Sequence, residues 1–454
     1  MKAVLGARRS ALGGAAAALL LAGGLAAQQV PAQLTLEDAL RLARERSPEY
    51  QRARNTLDAA GVQARAGWGG FLPSVSASLG FSGNSSTRVT GEDDFGRPVD
   101  LPDPVTFKSS SSSQGVNASL TLFDGLANFR NARAANLGRD AAEAGVDAAW
   151  TSVAANVTRR FHDALREQRL IQLEERLLAS ARQKLDATER RFRVAGANQT
   201  DVLGAQVDLA QREQALARQR GSAEKAVLTL RATMGLAEDI AFIPVGEPPA
   251  PFDPSALEAG ALVARALTAS PLIAQREAAA GAADARAGAA HGSRWPRVTL
   301  SGGFSRSVSL PSFDALGDLN PRNRGLGFQL GVNLPLFTGF QTSATIAQAE
   351  ATRDNAEEDL RAARLQLETD VRGAVIDLKN AYSNAQLAER SAELARQRLE
   401  LAQERYQLGA LQYIELQQVI DQAAGAERTA VEARFEFARA LVTVEELVGA
   451  SVRP

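Results

Sequence analysis

Residues 367–406 read LETDVRGAVIDLKNAYSNAQLAERSAELARQRLELAQERY. Small or apolar residues recur along this stretch in unbroken alternating steps of four and three: Leu367, Val371, Ala374, Leu378, Ala381, Ala385, Ala388, Ala392, Ala395, Leu399, Ala402 and Tyr406. This heptad spacing, called the seam below, predicts a helix that packs along its whole length against another helix. The helix is predicted over Phe340–Gly409, about 100 Å long at about 1.5 Å per residue. A globular domain does not need such a length, so the helices that pack against it must be long too.

The composition agrees with long helices and excludes several kinds of function. The chain has 454 residues, 5% aromatic residues and a net charge of −1, which gives no electrostatic argument for nucleic acid binding. It has no cysteine, which excludes disulfides, thiol catalysis, thiolate metal sites and an N-terminal lipidated cysteine. His162 and His291 occur singly in helical stretches, and there is no Gly-rich phosphate loop. We therefore predict neither an enzyme nor a bound cofactor.

The N-terminus predicts export from the cytoplasm. Lys2, Arg8 and Arg9 precede the uncharged run Ala11–Leu21, and small residues suitable for cleavage follow at Gly24–Ala27. Residues 1–27 are therefore predicted to be a signal peptide. The alternative is an uncleaved membrane anchor, but an uncharged run of about 17 residues rich in Ala and Gly is at the short limit for spanning.

Two segments after a pair of short helices change from helical to strand periodicity. The helices are predicted over Leu34–Arg46 and from Pro48 to about Trp68, with a break at Ser47. Apolar residues then alternate with polar ones in both segments: Val75, Ala77, Leu79 and Phe81 in the first, and Val116, Ala118, Leu120 and Leu122 in the second. The alternation predicts a hairpin with one apolar face. The polar stretch Gly83–Ser113 between the segments is predicted to be a long exposed loop.

The whole plan occurs twice. A helix over Leu126–Val194, a turn and a return helix over Thr200–Gly235 follow the first hairpin. The equivalent residues of the two halves are Ser47 and Ser270, Pro73 and Pro296, Phe81 and Phe304, Gly125 and Gly339, Phe192 and Tyr406, Asp201 and Glu415, and Gly235 and Gly449. The offset changes from 223 to 214 residues across the hairpin, which predicts a difference in loop length between Gly83–Ser113 and Leu310–Arg324. We predict a tandem duplication: a first repeat over 28–242, a Pro-rich linker over 243–255 and a second repeat over 256–454.

The return helix of the second half repeats the heptad, whereas that of the first half does not. Arg212 and Gln219 interrupt the apolar spacing of the first return helix. We therefore expect this face to meet other neighbours or water.

The second pair of strands alternates as the first does, with apolar residues at Val298, Leu300, Phe304, Leu326, Phe328, Leu330, Val332, Leu334 and Leu336. Four strands cannot close a barrel, and open strand edges cannot lie in lipid because their N–H and C=O groups would lack partners. The alternation therefore predicts a barrel shared between several copies of the chain in an outer membrane. The alternative is a small water-soluble sheet with one buried face.

With this plan, the sequence resembles the TolC-like outer-membrane efflux proteins over essentially the whole mature chain. The resemblance lies in the following residues: Leu36–Leu40, Ser47, Pro48, Phe123–Gly125, Phe337–Gly339, Arg405, Tyr406 and Gly409. It implies an α+β membrane protein in which a homotrimer forms a twelve-stranded β-barrel, four strands per chain, continued by an α-helical coiled-coil tube. It also implies a location in the Gram-negative outer membrane, in contact with its lipid and extending into the periplasm. The cargo would be small molecules or proteins, and the partners a periplasmic adaptor and an inner-membrane transporter of RND, ABC or MFS type.

The resemblance also implies a periplasmic entrance. In well-known members an Asp that follows a Thr is held by a Tyr and an Arg and closes the pore. Thr200, Asp201 and Tyr406 match, whereas Leu411 occupies the position of the Arg. A carboxylate near a phenol can accept a charge-assisted hydrogen bond, but Asp201 can equally cap its own helix.

Two further features follow from the resemblance alone. The acidic constriction of the family falls on Glu415 and Gln418, so only one of its two charges per chain remains. The turns that face the adaptor contain Gly196 and Gly409.

Two other classes of protein compete with a channel. A periplasmic adaptor also has a long helical hairpin, but only one, joined to Gly- and Val-rich β domains. A structural coiled-coil envelope protein would not need the alternating strands.

Overall fold

The structure is a computed structural model that describes residues 31–92, 94–194, 196, 198–237 and 240–453. The predicted signal peptide, residues 1–27, lies outside the described residues.

Eight α-helices account for most of the described chain: α1 (Leu36–Arg46), α2 (Pro48–Gly67), α3 (Ala127–Arg193), α4 (Gln199–Met234), α5 (Ala259–Ala269), α6 (Pro271–His291), α7 (Gln341–Gln407) and α8 (Tyr413–Val448). The strands are β1 (Gln33–Leu34), β2 (Ser74–Glu92), β3 (Pro98–Phe123), β4 (Ile243–Pro244), β5 (Arg297–Leu310) and β6 (Asn323–Asn333). The order of two short helices, two strands, a long helix and a return helix occurs twice.

The chain divides into two compact units. The first contains the described parts of Met1–Ser47, Asn156–Ala250 and Leu387–Ala438, and therefore both turns that join a long helix to its return helix. The second contains Pro48–Ala155, Pro251–Gln386 and the described part of Arg439–Pro454, and therefore the strands β2, β3, β5 and β6.

The predicted helices are confirmed to within a few residues. Helix α7 covers Gln341–Gln407 where Phe340–Gly409 was predicted, and every seam position is buried or half-buried. Ser47 separates α1 from α2, and Ser270 separates α5 from α6, because the Pro that follows each cannot donate the next helical hydrogen bond. The predicted seam is therefore the face along which α7 packs.

Strands β2, β3, β5 and β6 form one antiparallel sheet in that order. One face carries exposed apolar side chains, among them Leu326 and Phe328, which are 71% and 78% exposed. The other face carries mainly Ser, Thr, Asn, Gln and Gly. Within the described residues, the outer edges of β2 and β6 have no neighbouring strand.

The predicted loop Gly83–Ser113 is wrong, because most of it is strand. Strand β2 continues to Glu92, and strand β3 begins at Pro98. The turn between the two strands is therefore short. Hydroxyl side chains on these strands pair across the hairpin, with 2.8 Å between Ser82 Oγ and Ser111 Oγ and 3.1 Å between Thr87 Oγ1 and Thr106 Oγ1. Alternation of apolar and polar residues is absent here, which is why the sequence did not predict a strand.

The extra length of the first hairpin is therefore paired strand and not loop. The second hairpin has shorter strands and a true loop, residues 311–322. Strand β6 also ends at Asn333, before the predicted apolar positions Leu334 and Leu336. Pro335, two residues after the end of the strand, has no N–H to donate to the sheet.

Both strand-to-helix junctions use the same backbone conformation. Gly125 and Leu126 have φ of 71° and 66°, and their equivalents Gly339 and Phe340 have φ of 60° and 68°. Asp124 Oδ2 then accepts from the N–H of Asn128 at 3.0 Å. Thr338 Oγ1, at the equivalent position, accepts from the N–H of Thr342 at 3.3 Å. At each junction, two successive residues in the left-handed conformation end the strand, and a side-chain cap then starts the long helix.

A pair of short strands was not predicted. Strands β1 and β4 pair in parallel, with 2.9 Å between Val245 N and Leu34 O, so part of the Pro-rich stretch is structured. Within the described residues, no helix has an apolar stretch long enough to cross a bilayer.

Candidate functional site

The turn between α3 and α4 places Thr200 and Asp201 in the first turn of α4. The N–H of Asn198 donates to Asp201 Oδ2 at 3.1 Å, so Asp201 caps its own helix as one of the two predictions states. The cap uses one carboxylate oxygen, and among the described residues no hydrogen bond reaches the other. Asp201 and Tyr406 form no hydrogen bond with each other in the described part of the chain, so the cap is the role observed and the contact with Tyr406 stays a prediction.

Glu415 has the same local role in the turn between α7 and α8. The N–H of Gln412 donates to Glu415 Oε2 at 3.4 Å, and the Glu415 side chain is otherwise exposed. Gln418 lies one turn further along α8 and is also exposed. The two acidic residues that the repeat made equivalent, Asp201 and Glu415, thus cap equivalent helices.

Tyr406 lies near the end of α7, where its ring contacts the guanidinium group of Arg191. The Arg191 guanidinium carbon is 4.9 Å from the centroid of the Tyr406 ring, a cation–π contact between α3 and α7. Leu411, at the position where the resemblance leads one to expect an Arg, packs with Tyr406 against an apolar cluster that includes Ala402 and Leu416. Leu411 therefore closes the turn through apolar packing.

The two glycines predicted to face an adaptor both lie in tight turns. Gly409 has φ of 74°, and the N–H of Ala410 donates to Arg405 O at 2.9 Å, which ends α7 with a left-handed residue. The N–H of Gly196 donates to Arg191 O at 2.8 Å, and Gly196 is exposed.

A partly buried ionic cluster connects three helices near these turns. Lys184 of α3 and Asp208 of α4 are 3.2 Å apart (Nζ to Oδ2), and each side chain is only 9% exposed. Gln417 of α8 donates to Asp208 Oδ1 at 3.0 Å and accepts from Lys184. Arg212 of α4 contacts Asp208 and pairs with Asp421 of α8. We call these five residues, Lys184, Asp208, Arg212, Gln417 and Asp421, the ionic cluster.

The ionic cluster is balanced in charge, since it contains two cations and two carboxylates. Burial lowers the pKa of Lys184, and the nearby Asp208 opposes that shift. A buried ion pair is retained where it fixes the register of packed helices, because removal of one partner leaves an uncompensated charge. The ionic cluster therefore fixes α8 of the second half against α3 and α4 of the first.

Tyr413 completes this region. Its ring lies 4.7 Å from Lys184 Nζ and packs over Gly204, where an added Cβ would be 3.3 Å from Tyr413 Cε1. The pKa of Tyr413 is raised to about 12, mainly because the side chain is buried and secondly because the negative charge of Asp208 is nearby. Its hydroxyl is buried and, among the described residues, has no hydrogen-bond partner.

The ionic cluster was missed from the sequence, although one signal existed. Arg212 and Gln219, which interrupt the return heptad of α4, do not face water: Gln219 is buried and donates to Glu167 Oε2 at 2.6 Å. Polar residues at seam positions often pair with polar partners on a facing helix. The identity of those partners could not be read from spacing alone.

We expect Tyr413→Phe to leave stability unchanged or slightly increased, by up to about 1 kcal/mol. A buried hydroxyl without a partner costs free energy, and phenylalanine keeps the ring over Lys184. Thermal unfolding followed by circular dichroism measures the effect. Tyr406→Phe is the control, and a loss of more than about 1 kcal/mol in Tyr413→Phe would show that the hydroxyl has a stabilising partner.

Comparison with sequence families gives one assignment. The model of the family described as outer membrane efflux protein matches residues 39–236 and 262–450. No curated protein matches the sequence.

Several solved structures share the fold. A membrane protein from Pseudomonas aeruginosa has a TM-score of 0.74 at 20% identity and covers 91% of this chain and 93% of its own. The Campylobacter jejuni CmeC outer membrane channel has a TM-score of 0.74 at 16% identity, over 91% of this chain and 85% of its own. The outer membrane protein VceC from Vibrio cholerae has a TM-score of 0.71 at 20% identity, over 92% and 97%. At these identities the likeness shows the fold.

Proposed function

Since the chain belongs to the outer membrane efflux protein family, we propose that three copies of it form one twelve-stranded barrel that continues as a helical tube through the periplasm. Members of this family are channels of the outer membrane and not enzymes, and they work with an adaptor and an inner-membrane transporter. The chain is therefore an outer membrane efflux channel that extends into the periplasm. This assignment favours the channel over the adaptor and the structural coiled coil.

The main observation that supports a trimer is the open four-stranded sheet. Its apolar face is exposed, and its edge strands β2 and β6 have no neighbour among the described residues. Unpaired backbone groups are too costly in lipid, so β6 of one copy must pair with β2 of the next until the barrel closes. Three copies supply twelve strands, as the resemblance implies.

The trimer is tested with the full-length protein in membranes. We expect it in the outer membrane fraction, as a species of three chains that resists mild SDS and dissociates on heating. We also expect stepwise ion conductance in planar bilayers. A soluble monomer without conductance would contradict the proposal.

We further propose the domain plan and the partners given by the sequence. The plan is a cleaved signal peptide over 1–27, repeats over 28–242 and 256–454, and a linker over 243–255. The equivalent junctions at Gly125 and Gly339 support a duplication. The transporter is of RND, ABC or MFS type, the cargo is small molecules or proteins, and the adaptor docks at the turns of Gly196 and Gly409.

We propose that the periplasmic entrance comprises Thr200, Asp201, Tyr406 and Leu411, with Glu415 as the remaining acidic residue of a constriction and Gln418 as its uncharged neighbour. The second carboxylate oxygen of Asp201, which the helix cap does not use, supports this role. Leu411 supplies apolar packing where relatives supply a charge, so the resting entrance is held by fewer ionic contacts.

We expect Leu411→Arg to lower the resting conductance several-fold, because an Arg at this turn can pair with Asp201. Single-channel recording in planar bilayers measures it. Leu411→Gln is the control, since it removes the apolar contact without adding charge. Equal conductance of wild type and Leu411→Arg would count against this view of the entrance.

A further inference from the structure

Two arginines face each other on neighbouring strands near the loop end of the sheet. Arg306 of β5 and Arg324 of β6 are directly opposite in the antiparallel register, and Gln114 of β3 lies beside Arg306 in the same row. We call Arg306 and Arg324 the arginine pair. Like charges directly opposite each other on adjacent strands destabilise a sheet. Their pairing therefore needs a compensating feature.

The arginine pair lies on the lipid side of the sheet. Side chains alternate between faces, so Arg306 shares a face with Phe304, and Arg324 with Leu326 and Phe328. Ser305 and Gly325, the intervening residues, belong to the polar face. The arginine pair therefore does not face the lumen of the proposed barrel.

On β6 the arginine pair marks the outer limit of the exposed apolar residues, whereas on β5 the apolar face continues beyond Arg306 with Val308 and Leu310. Along β6 the exposed apolar residues are Leu326, Phe328, Leu330 and Val332. From Val332 to Arg324 the strand rises about 27 Å, or about 19 Å along the membrane normal at a tilt of about 45°. A lipid-facing band is about 25 Å tall, and the helices lie at the other end of the strands. The backbone of Arg324 is thus near the outer edge of this band, from where its long side chain reaches the outer-leaflet headgroups.

Among the described residues, no carboxylate compensates the charge of the arginine pair. Arg306 contacts the neutral Asn320 side chain, and its Nε is buried without a hydrogen-bond partner among the described residues. In the described part of the chain, neither arginine forms an ion pair with a carboxylate. The acidic residues of the nearby loop are engaged locally, since Ser312 donates to Asp314 at 2.6 Å and the N–H of Asn320 donates to Asp318 at 2.8 Å.

The loop beside the arginine pair is held against the same face of the sheet. Ser110 Oγ donates to Ser312 O at 2.6 Å, Ser112 Oγ to Asp318 O at 2.6 Å, and Gln114 Nε2 to Leu319 O at 2.7 Å. These bonds fix the loop that carries Asn320, and Asn320 in turn positions the Arg306 guanidinium. The site is therefore preorganised.

We propose that the arginine pair binds the phosphate group of an outer-leaflet lipid. Arginine matches phosphate oxygens with two parallel hydrogen bonds, and a phosphate between two guanidinium groups removes their mutual repulsion. The acyl chains of such a lipid then lie along Phe304, Leu326 and Phe328, directly below the headgroup. A soluble anion would not need this apolar surface.

The test uses the full-length protein in phosphatidylcholine nanodiscs that contain equal amounts of diphosphorylated lipid A and its dephosphorylated form. After mild detergent extraction, mass spectrometry counts the retained lipids. We expect wild type to retain the phosphorylated form at least tenfold over the other. Arg306→Gln/Arg324→Gln is expected to lose this preference, and Arg324→Gln alone, which leaves the Asn320 contact intact, to lose most of it.

Arg297→Gln is the matched control, because Arg297 begins the same strand at its helix end. Arg297→Gln is expected to keep the preference for the phosphorylated lipid. The double variant Arg306→Gln/Arg324→Gln is expected to keep the conductance of wild type, which separates this lipid site from the channel function. The proposal is overturned if the double variant retains the phosphorylated lipid as wild type does, or if wild type shows no preference. Displacement by inorganic phosphate without lipid retention would also overturn it.

Discussion

Lys184→Met is expected to destabilise the first unit by about 3–5 kcal/mol, the usual cost of removing one partner from a buried ion pair. Asp208 would remain buried without the cation that lies 3.2 Å away, and Gln417 would lose the donor for its side-chain oxygen. The free energy of unfolding, from urea titration followed by helical circular dichroism, measures the effect. Because the ionic cluster fixes α8 against α3 and α4, the same variant is expected to raise the resting conductance.

Two controls separate the ion pair from a general effect of the substitution. Lys225→Met makes the same change on the exposed surface of α4 and is expected to alter stability by less than about 0.5 kcal/mol. Lys184→Met/Asp208→Leu removes both charges and is expected to recover part of the loss, although Arg212 then lacks one partner. A loss below about 1 kcal/mol in Lys184→Met would show that the ionic cluster does not hold these helices together.

Gly125→Ala is expected to destabilise the second unit by about 2–5 kcal/mol, from two separate costs. An alanine at φ of 71° is in the left-handed region, which costs about 1–2 kcal/mol. Its Cβ would also lie 2.6 Å from Gly292 O and 2.8 Å from Trp295 Cβ, so the backbone itself must move. Such overpacking costs about 1–3 kcal/mol more.

Gly339→Ala is the matched control at the equivalent junction of the second half. Gly339 has φ of 60°, but an added Cβ would meet nothing within 4 Å. Only the backbone cost of about 1–2 kcal/mol is therefore expected. The midpoint of thermal unfolding in detergent ranks the two variants, and an equal decrease in both would refute the steric argument at Gly125.

The helices and their breaks were predictable from the sequence because their signals are local. Heptad spacing placed α7 within two residues of its observed ends, and Ser47 with Pro48 placed the break between α1 and α2. The strands were predictable only where apolar and polar residues alternate. The Ser-rich part of β3 has polar residues on both faces, so nothing local distinguishes it from a loop.

The candidate entrance was predictable in part. The sequence identified Asp201 and Tyr406 and offered the helix cap as one role for Asp201, and the structure contains that cap. It did not identify Arg191, whose guanidinium lies over Tyr406, or the partners of Arg212. These residues come from helices distant in the sequence, and no spacing within one helix relates them.

The sequence by itself determined the long helices, the repeated order of elements and the apolar face of the sheet, because each is a periodicity along one segment. Only the tertiary structure decided that Lys184, Asp208 and Gln417 meet, and that Arg306 opposes Arg324. Those contacts depend on the rotation and register of one element against another. Packing of the whole chain sets this rotation and register, and neither can be inferred from the periodicity of a single segment.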